Sequence, residues 1–140
     1  MKATIKKHAE KIRYVIVGGF NTFLDFLILF VLVAFGLDKI PANYISTTVT
    51  MIISFFLNKS FTFESKDGNA RKQFALFIII TASGLWIIQP IIITFVTWAL
   101  AGLNLPAPVS LFIAKSIATV ATLIWNYIWY SRAVFKKKEA

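Results

Sequence analysis

The 140-residue sequence contains no cysteine and only one histidine, His8. The absence of cysteine excludes disulfide bonds and metal sites built on thiolates, and a lone histidine does not hold a metal ion. We therefore predict no metal centre and no cofactor, and we interpret His8 as a solvated side chain of a basic N-terminal segment.

Charge is also scarce in this sequence. Charged residues make up 15% of the chain, with six acidic against fifteen basic residues, whereas 58% of the residues are hydrophobic and the mean hydropathy is +0.74. A water-soluble fold of this size has too small an interior to bury that much apolar surface. The composition therefore predicts an integral, multi-pass protein of the cell membrane.

Four apolar blocks are each long enough to cross the membrane as a helix, which takes roughly 20 residues. The joints contain helix-ending glycine or proline, and the alternation typical of a membrane barrel is missing, so we predict an all-α fold. The predicted transmembrane domain covers residues 14–135, with helices at about 14–35, 42–61, 74–101 and 107–130. The third is longer than a span requires, which predicts a tilt or a break near Gln89-Pro90.

The basic residues predict the orientation of the chain. All except Lys39 and Lys115 fall in a leader of residues 1–13, in the joint between the second and third helices, or at the C-terminal end, where residues 136–140 form a basic tail. Because basic residues favour the cytoplasmic side, both termini are predicted to be cytoplasmic, with the leader a candidate interfacial helix. These cations flank apolar spans, so we expect contact with anionic membrane lipids and not with nucleic acid.

Helices two and four each carry a stripe of polar residues along one face. The stripes share one spacing and are displaced by 72 residues: Asn43, Thr47, Thr50, Ser54 and Asn58 in the second helix, and Lys115, Thr119, Thr122, Asn126 and Tyr130 in the fourth. This correspondence predicts two repeats of two helices each. Since a two-span repeat returns to the same side, the repeats would be parallel, about an axis along the membrane normal.

The stripes have two interpretations, helix packing and ligand binding. Small and hydroxylated residues let membrane helices approach closely and hydrogen-bond, which we favour for the threonines and Ser54. Asparagine is more costly to bury, and for Asn43, Asn58 and Asn126 packing and function stay equally open.

Two charges lie inside predicted spans. Asp25 is roughly 16 Å from the start of the first span, near the centre of the bilayer, and Asn21 lies one turn earlier on the same face. An ionisable residue at that depth is a candidate functional group by default. Lys115, roughly 12 Å inside the fourth helix, either extends toward the outer surface or forms an ion pair with Asp25.

Two cytoplasmic helix ends combine a cation with aromatic residues. Lys59 lies among four phenylalanines, and Arg132 lies near two tryptophans and a tyrosine. Anchoring at the membrane interface explains such a pattern without a ligand. The alternative is a phosphate site, because arginine and lysine bind phosphate and aromatic faces suit sugar rings and prenyl chains.

Three motifs resemble those of the GtrA-like family of small membrane proteins. They are Arg-Tyr-Val-Ile-Val-Gly-Gly-Phe-Asn-Thr-Phe-Leu-Asp at residues 13–25, Ala-Asn at 42–43, and Ser-Phe-Phe-Leu-Asn-Lys-Ser-Phe-Thr-Phe at 54–63. The resemblance spans nearly the whole chain. The sequence departs from the family pattern at Lys59 and Phe61, where arginine and tryptophan are frequent, and after Arg132, where an aromatic residue is usual.

The resemblance implies a role in cell-surface polysaccharide synthesis or glycosylation, by translocating or binding a polyprenyl-phosphate-linked sugar such as undecaprenyl phosphate glucose. It also implies a membrane glycosyltransferase as a partner. The positions that the resemblance carries over are Asn21, Asp25, Asn43, Asn58, Lys59, Lys115 and Arg132, and the fourth-helix stripe adds Asn126 as a substrate-binding candidate.

Two other functions stay open, a small proton-coupled multidrug exporter and a non-transporting partner of a glycosyltransferase. The exporter class also has four short helices with one acidic residue in the first. We predict no enzymatic activity, because the sequence shows no nucleophile-and-base arrangement, metal-ligand cluster or phosphate-binding glycine loop. Four helices enclose little room, so a homodimer is expected.

Overall fold

The computed structural model describes residues 1–136, apart from the side chains of residues 39 and 40. All regular structure in this part of the chain is helical, and the chain divides into two compact units, Met1–Asp67 and Gly68–Ala140. Except for Lys136, the predicted basic tail lies outside the described residues.

The first unit is an antiparallel pair of helices. Helix α1 spans Lys2–Ala34 without interruption, so the basic leader forms the first turns of the same helix as the first span. The helix ends in a turn in which Gly36, at φ 94°, adopts the left-handed conformation that glycine tolerates best. The Gly36 and Leu37 amides donate back to the carbonyl oxygens of Val33 and Leu32, both at 3.0 Å, and the chain reverses into α2.

Helix α2 spans Lys39–Leu57 and continues as a π-helical segment, Asn58–Thr62. The segment ends where the Phe63 amide donates to the Asn58 carbonyl oxygen at 2.9 Å. There the buried Phe63 ring packs on Tyr14 of α1, with ring centroids 6.3 Å apart. These contacts position the polar residues of α2 opposite α1.

The second unit begins with a longer, interrupted helix. The Asn69 side chain caps helix α3, Ala70–Ser83, by accepting hydrogen bonds from the Arg71 and Lys72 amides. A π-helical segment, Gly84–Ile88, connects it to helix α4, Gln89–Leu100, and one 3₁₀ turn follows, Ala101–Leu103. The irregular segment immediately precedes the pair Gln89-Pro90, because Pro90 has no amide hydrogen to continue the α-helical pattern.

The second unit closes with helix α5, Ala107–Trp129, and a π-helical segment, Tyr130–Val134. The Phe135 amide donates to the Tyr130 carbonyl oxygen at 2.7 Å, and the buried Phe135 ring lies 6.4 Å from Phe77 of α3. The end of the second unit therefore repeats the end of the first, with each π-helical segment and each terminal phenylalanine displaced by 72 residues.

Three helical stretches of the described chain are long and apolar enough to cross a membrane: Lys2–Ala34, Ala70–Leu103 and Ala107–Val134. Few of their residues are buried, and large apolar side chains such as Phe23, Phe95 and Trp98 are more than 60% exposed. Such faces are stable in hydrocarbon and costly in water, so the chain is an integral membrane protein. Helix α2 has 19 residues; that it also crosses the membrane stays a prediction.

The buried faces of helices α2 and α5, each with its π-helical extension, follow a four-residue period. Buried positions are Ala42, Ser46, Thr50, Asn58 and Thr62 in the first unit, and Ala114, Ala118, Thr122, Asn126, Tyr130 and Val134 in the second. The stripe predicted from the sequence is correct from Thr50 and Thr122 onward but is one residue off before them. There the smaller Ala and Ser side chains lie in the packed face and allow close approach of the helices, whereas Asn43, Thr47, Lys115 and Thr119 are exposed.

Candidate functional site

Three polar residues of the first unit form one hydrogen-bonded cluster between α1 and α2, which we call the polar cluster: Asn21, Ser54 and Asn58. The Asn21 Nδ2 atom donates to Ser54 Oγ at 2.7 Å. Asn58, one turn after Ser54, donates its Nδ2 to the Ser54 carbonyl oxygen at 2.9 Å and to Ser54 Oγ at 3.2 Å. Ser54 thus accepts from both asparagines, and both amide NH2 groups are used inside the unit.

Both amide oxygens of the polar cluster lack a partner. Asn21 Oδ1 and Asn58 Oδ1 are buried and accept no hydrogen bond within the described residues. Asn58 is only 3% exposed, and an unpaired amide oxygen at that burial is costly. The cluster therefore offers two hydrogen-bond acceptors to a group that the protein does not itself provide.

Further unpartnered polar atoms lie on the same two helices. They are Asp25 Oδ1 on α1, and Thr50 Oγ1 and Thr62 Oγ1 on α2 and its π-helical extension. Thr50 precedes Ser54 by one turn and Thr62 follows Asn58 by one turn, so the threonines flank the cluster along one face of the helix. Asp25 is one turn beyond Asn21 on α1, which in an antiparallel pair is the level of Thr50.

The basic end of the first unit contains an ion pair between Arg13 and Glu64. The Arg13 guanidinium also lies over the Phe61 ring, 5.9 Å from its centroid. Arg13 Nε is buried and has no acceptor within the described residues. Lys59 is half-buried on the neighbouring helix end. This end of the unit therefore carries positive charge and an unused N–H donor.

In the second unit, residues at and next to the positions that correspond to the polar cluster hydrogen-bond or stack with other residues of the same unit. Tyr130, which corresponds to Asn58 by the 72-residue displacement, bonds through its hydroxyl to Thr81 Oγ1 at 2.5 Å. Its ring stacks on Phe77 with centroids 4.7 Å apart. Trp125 Nε1 donates to Ser83 Oγ at 3.0 Å. Of the polar side-chain atoms of this unit that the structure describes, only Asn126 Oδ1 is buried without a partner.

Gly84 occupies the place in the second unit that Asn21 holds in the first. The ring pairs Tyr14–Phe63 and Phe77–Phe135 align the two units, and Asn21 and Gly84 lie equally far beyond Tyr14 and Phe77. A Cβ added to Gly84 would lie 3.1 Å from Asn126 Oδ1. An asparagine on the first helix facing a serine is thus replaced by a glycine facing an asparagine.

The predicted site residues fall into three groups. The structure brings Asn21 and Asn58 together, with Asp25 one turn away and Lys59 next to Asn58 in the chain. Asn126 is buried in the second unit. Exposed are Asn43, Lys115 and Arg132. An ion pair between Asp25 and Lys115, which belong to different units, stays a prediction.

Sequence reasoning missed several residues of the site. Thr62 lies one more four-residue step beyond Asn58 and could have been found by extending the stripe. Arg13 and Glu64 are 51 residues apart, and no periodic signal connects them. Gly84 corresponds to Asn21 only through ring contacts between helices, which a linear comparison does not reveal.

An open depression of about 550 Å³ lies on α4 and contains none of the predicted site residues. Its lining is Pro90, Ile91, Thr94, Phe95 and Trp98. A shallow apolar surface on one helix suits acyl chains, so it does not compete with the polar cluster as the candidate site.

Comparisons with known proteins identify the family. Residues 13–135 match the family model described as GtrA/DPMS, transmembrane domain. The chain is also 31% identical over 129 residues to the Bacillus subtilis (strain 168) protein named "Uncharacterized membrane protein YngA", covering 89% of this chain and 79% of that protein. The match includes the polar cluster and both π-helical segments, and the chain therefore belongs to the GtrA/DPMS transmembrane-domain family.

Proposed function

We propose that the protein binds and translocates a polyprenyl-phosphate-linked sugar, such as undecaprenyl phosphate glucose, for cell-surface polysaccharide synthesis or glycosylation. Membership of the GtrA/DPMS family supports this proposal. The observation that carries it is the polar cluster, whose buried Asn21 and Asn58 oxygens lack hydrogen-bond donors between helices α1 and α2. The protein acts in this proposal as a binding and translocating protein and not as an enzyme.

Moving a sugar through a membrane is costly because its hydroxyls lose water. An unpaired hydroxyl in hydrocarbon costs about 4 to 8 kcal/mol, and a hexose carries several. Acceptors such as those of the polar cluster and of Thr50 would replace water for part of the sugar. The prenyl tail needs no such path, since it stays in the lipid.

The basic helix ends are the proposed phosphate sites. Arg13 and Lys59 belong to the basic end of the first unit, and Arg132 lies in the π-helical end of the second, one residue beyond the position that corresponds to Lys59. Arg13 Nε has an unused N–H, and arginine binds phosphate oxygens well. The same cations would contact anionic lipids at the membrane surface.

The proposed topology places both termini in the cytoplasm, with four spans that form two parallel repeats in the cell membrane. The distribution of basic residues supports the orientation. The 72-residue displacement of the π-helical segments, Asn58–Thr62 and Tyr130–Val134, supports the repeat. The proposal includes a homodimer, because four helices enclose little room for a sugar. It also includes a membrane glycosyltransferase as a partner.

The proposal is tested by reconstituting the purified protein in vesicles with fluorescent polyprenyl-phosphate glucose. The rate at which the lipid becomes accessible to a membrane-impermeant quencher should rise above that of empty vesicles. Asn58→Leu should return the rate toward the empty-vesicle value, whereas Thr94→Ala, on the exposed face of α4, should not. No acceleration by the wild-type protein contradicts translocation, and binding without acceleration would favour a non-transporting partner of a glycosyltransferase.

A proton-coupled exporter is the second candidate, and the unpartnered Asp25 Oδ1 favours it. Such a mechanism needs a carboxyl group that gains and loses a proton, so Asp25→Asn would abolish it. Translocation of a neutral sugar headgroup needs only an acceptor, which asparagine retains. Release of protons on adding lipophilic cations in detergent, lost in Asp25→Asn, would support the exporter.

A further inference from the structure

Unpartnered buried polar atoms are distributed very unevenly between the two units. Within residues 1–136, six of the seven belong to the first unit and one to the second. Natural membrane proteins seldom leave buried polar atoms unpaired, because each costs free energy that a partner would recover. The first unit therefore contains several buried donors and acceptors that a bound ligand could pair.

The orientation of the Asn58 amide shows which kind of partner is required. Its Nδ2 atom faces the Ser54 carbonyl oxygen, which can only accept a hydrogen bond, so the reverse orientation would oppose two acceptors. Asn58 Oδ1 is therefore directed elsewhere. The Asn21 amide likewise spends its Nδ2 on Ser54 Oγ.

The two amide oxygens lie close to a common centre. Because the nitrogen and oxygen of an amide are about 2.3 Å apart, each Oδ1 lies within roughly 5.5 Å of Ser54 Oγ. Thr50 and Thr62, both at least nine-tenths buried, lie on either side of this centre with unpartnered hydroxyls. They are roughly 18 Å apart along the helix, so a sugar ring at the centre reaches one of them at a time. The site is thus lined by acceptors, and a threonine hydroxyl both accepts and donates.

The second unit has closed the equivalent site. Tyr130 replaces Asn58 and is bonded to Thr81, and Val134 stands where the first unit has Thr62. The Thr122 hydroxyl, in the place of Thr50, donates to the Ala118 carbonyl oxygen at 2.8 Å. Asn126 lies against Gly84, so no room is left where Asn21 stands in the first unit.

We propose that the first unit alone holds the sugar headgroup, at a site formed by the Asn21 and Asn58 amide oxygens with Thr50 and Thr62 on either side of it, while the second unit is a structural counterpart. This inference rests on the proposed function, that the chain binds a polyprenyl-phosphate sugar. The ligand group that fits is a neutral, hydroxyl-rich ring, which donates hydrogen bonds to amide oxygens. The phosphate is expected outside this site, because its oxygens accept hydrogen bonds and cannot pair with the Asn21 and Asn58 amide oxygens, which also only accept.

A matched set of nearly isosteric variants tests the assignment. Thr50→Val and Thr62→Val, combined, delete two unpartnered hydroxyls, and the second change installs the residue that the second unit has at Val134. Thr122→Val deletes the corresponding hydroxyl of the second unit. Binding to purified protein in lipid nanodiscs is measured for polyprenyl-phosphate glucose and for polyprenyl phosphate without sugar.

The double variant should bind polyprenyl-phosphate glucose about five- to tenfold more weakly, which corresponds to losing one hydrogen bond, since the sugar reaches one threonine at a time. Its affinity for the sugar-free lipid should match that of the wild type. Its thermal unfolding temperature should be equal or higher, because neither buried hydroxyl has a partner in the protein. Thr122→Val should leave both affinities unchanged.

Four outcomes separate this inference from the proposed function. If the wild type binds the glycolipid and the double variant binds it equally well, the acceptor site is overturned and the proposed function stands. If Thr122→Val weakens glycolipid binding as much as the double variant does, the site is not restricted to the first unit. If the double variant loses affinity for the sugar-free lipid by the same factor, the site does not recognise the sugar. A wild-type protein that binds neither lipid overturns the proposed function and the inference together.

Discussion

Positions 54 and 58 in the first unit and positions 126 and 130 in the second lie at the same places on helices that end alike, yet they are used in opposite ways. In the first unit, Ser54 and Asn58 hydrogen-bond among polar neighbours and leave amide oxygens unpaired. In the second, Tyr130 stacks on Phe77 and bonds to Thr81. One backbone arrangement thus supports both a buried polar site with unpaired acceptors and an aromatic core with paired ones.

The comparison also shows how the exchange of side chains is balanced. The first unit places an asparagine on its first helix opposite a small serine, and the second places a glycine there opposite an asparagine. At this level of each unit one amide fits between the two helices, and the residue opposite is small enough to admit it. The difference between the units is therefore confined to a few positions, and single or paired substitutions at those positions test it.

The largest effect is expected at Gly84. A Cβ at this position would lie 2.7 Å from Thr122 Cγ2, and the bond from the Thr122 hydroxyl to Ala118 restrains that side chain from turning away. Gly84→Ala should lower the free energy of unfolding by about 2 to 3 kcal/mol, measured by thermal unfolding in detergent. Gly19→Ala is the control, since nothing lies within 4 Å of its added Cβ; equal losses would contradict the close packing.

The second-largest effect is expected when positions 21 and 54 of the first unit receive the residues that the second unit has at Gly84 and Asn126. Asn21→Gly with Ser54→Asn should still fold, at a cost of about 1 kcal/mol for glycine within a helix. Translocation of polyprenyl-phosphate glucose should fall about tenfold, because the polar cluster is lost. Ser54→Asn alone should be less stable than the pair, since two amides would then compete for one space. Additive stabilities in the double-mutant cycle would refute the exchange.

A smaller effect is expected at Tyr130. Tyr130→Phe removes the bond to Thr81, whose hydroxyl keeps its bond to the Phe77 carbonyl oxygen at 2.7 Å. The free energy of unfolding should fall by about 1 kcal/mol, with glycolipid translocation within about twofold of the wild type. Tyr44→Phe, at a position 70% exposed, serves as the control. A loss of translocation as large as that of Asn58→Leu would place the second unit in the binding site.

The smallest effect is expected for the ion pair of the first unit. A displacement of 72 residues from Glu64 reaches Lys136, so the second unit has no acidic residue at the corresponding position. Glu64→Gln should lower the free energy of unfolding by less than about 1 kcal/mol, because the pair with Arg13 is partly exposed to solvent. The difference should shrink further in high salt, and a salt-independent loss above that size would show that the pair is structural.

The sequence predicted the class of fold because hydropathy reports directly on the solvent around a helix. It also predicted the 72-residue correspondence, which the buried faces from Thr50 and Thr122 onward follow. It misplaced the first half of each stripe, since Asn43 and Ala42 are neighbours in the chain and only helix packing decides which one is buried. Asn21 and Asn58 were identified as candidates from their family motifs, but nothing in the chain order connects either with Ser54.

The amino-acid sequence by itself determined that this is a helical membrane protein of the GtrA/DPMS family, with polar residues repeated on two helices. Composition, period and motif are local properties, and they survive without knowledge of contacts. Only the tertiary structure decided which polar atoms are paired, because a hydrogen bond between Thr81 and Tyr130, or its absence at Asn58, depends on which helices lie side by side. The difference between the two units in hydrogen-bond pairing is therefore a property of packing.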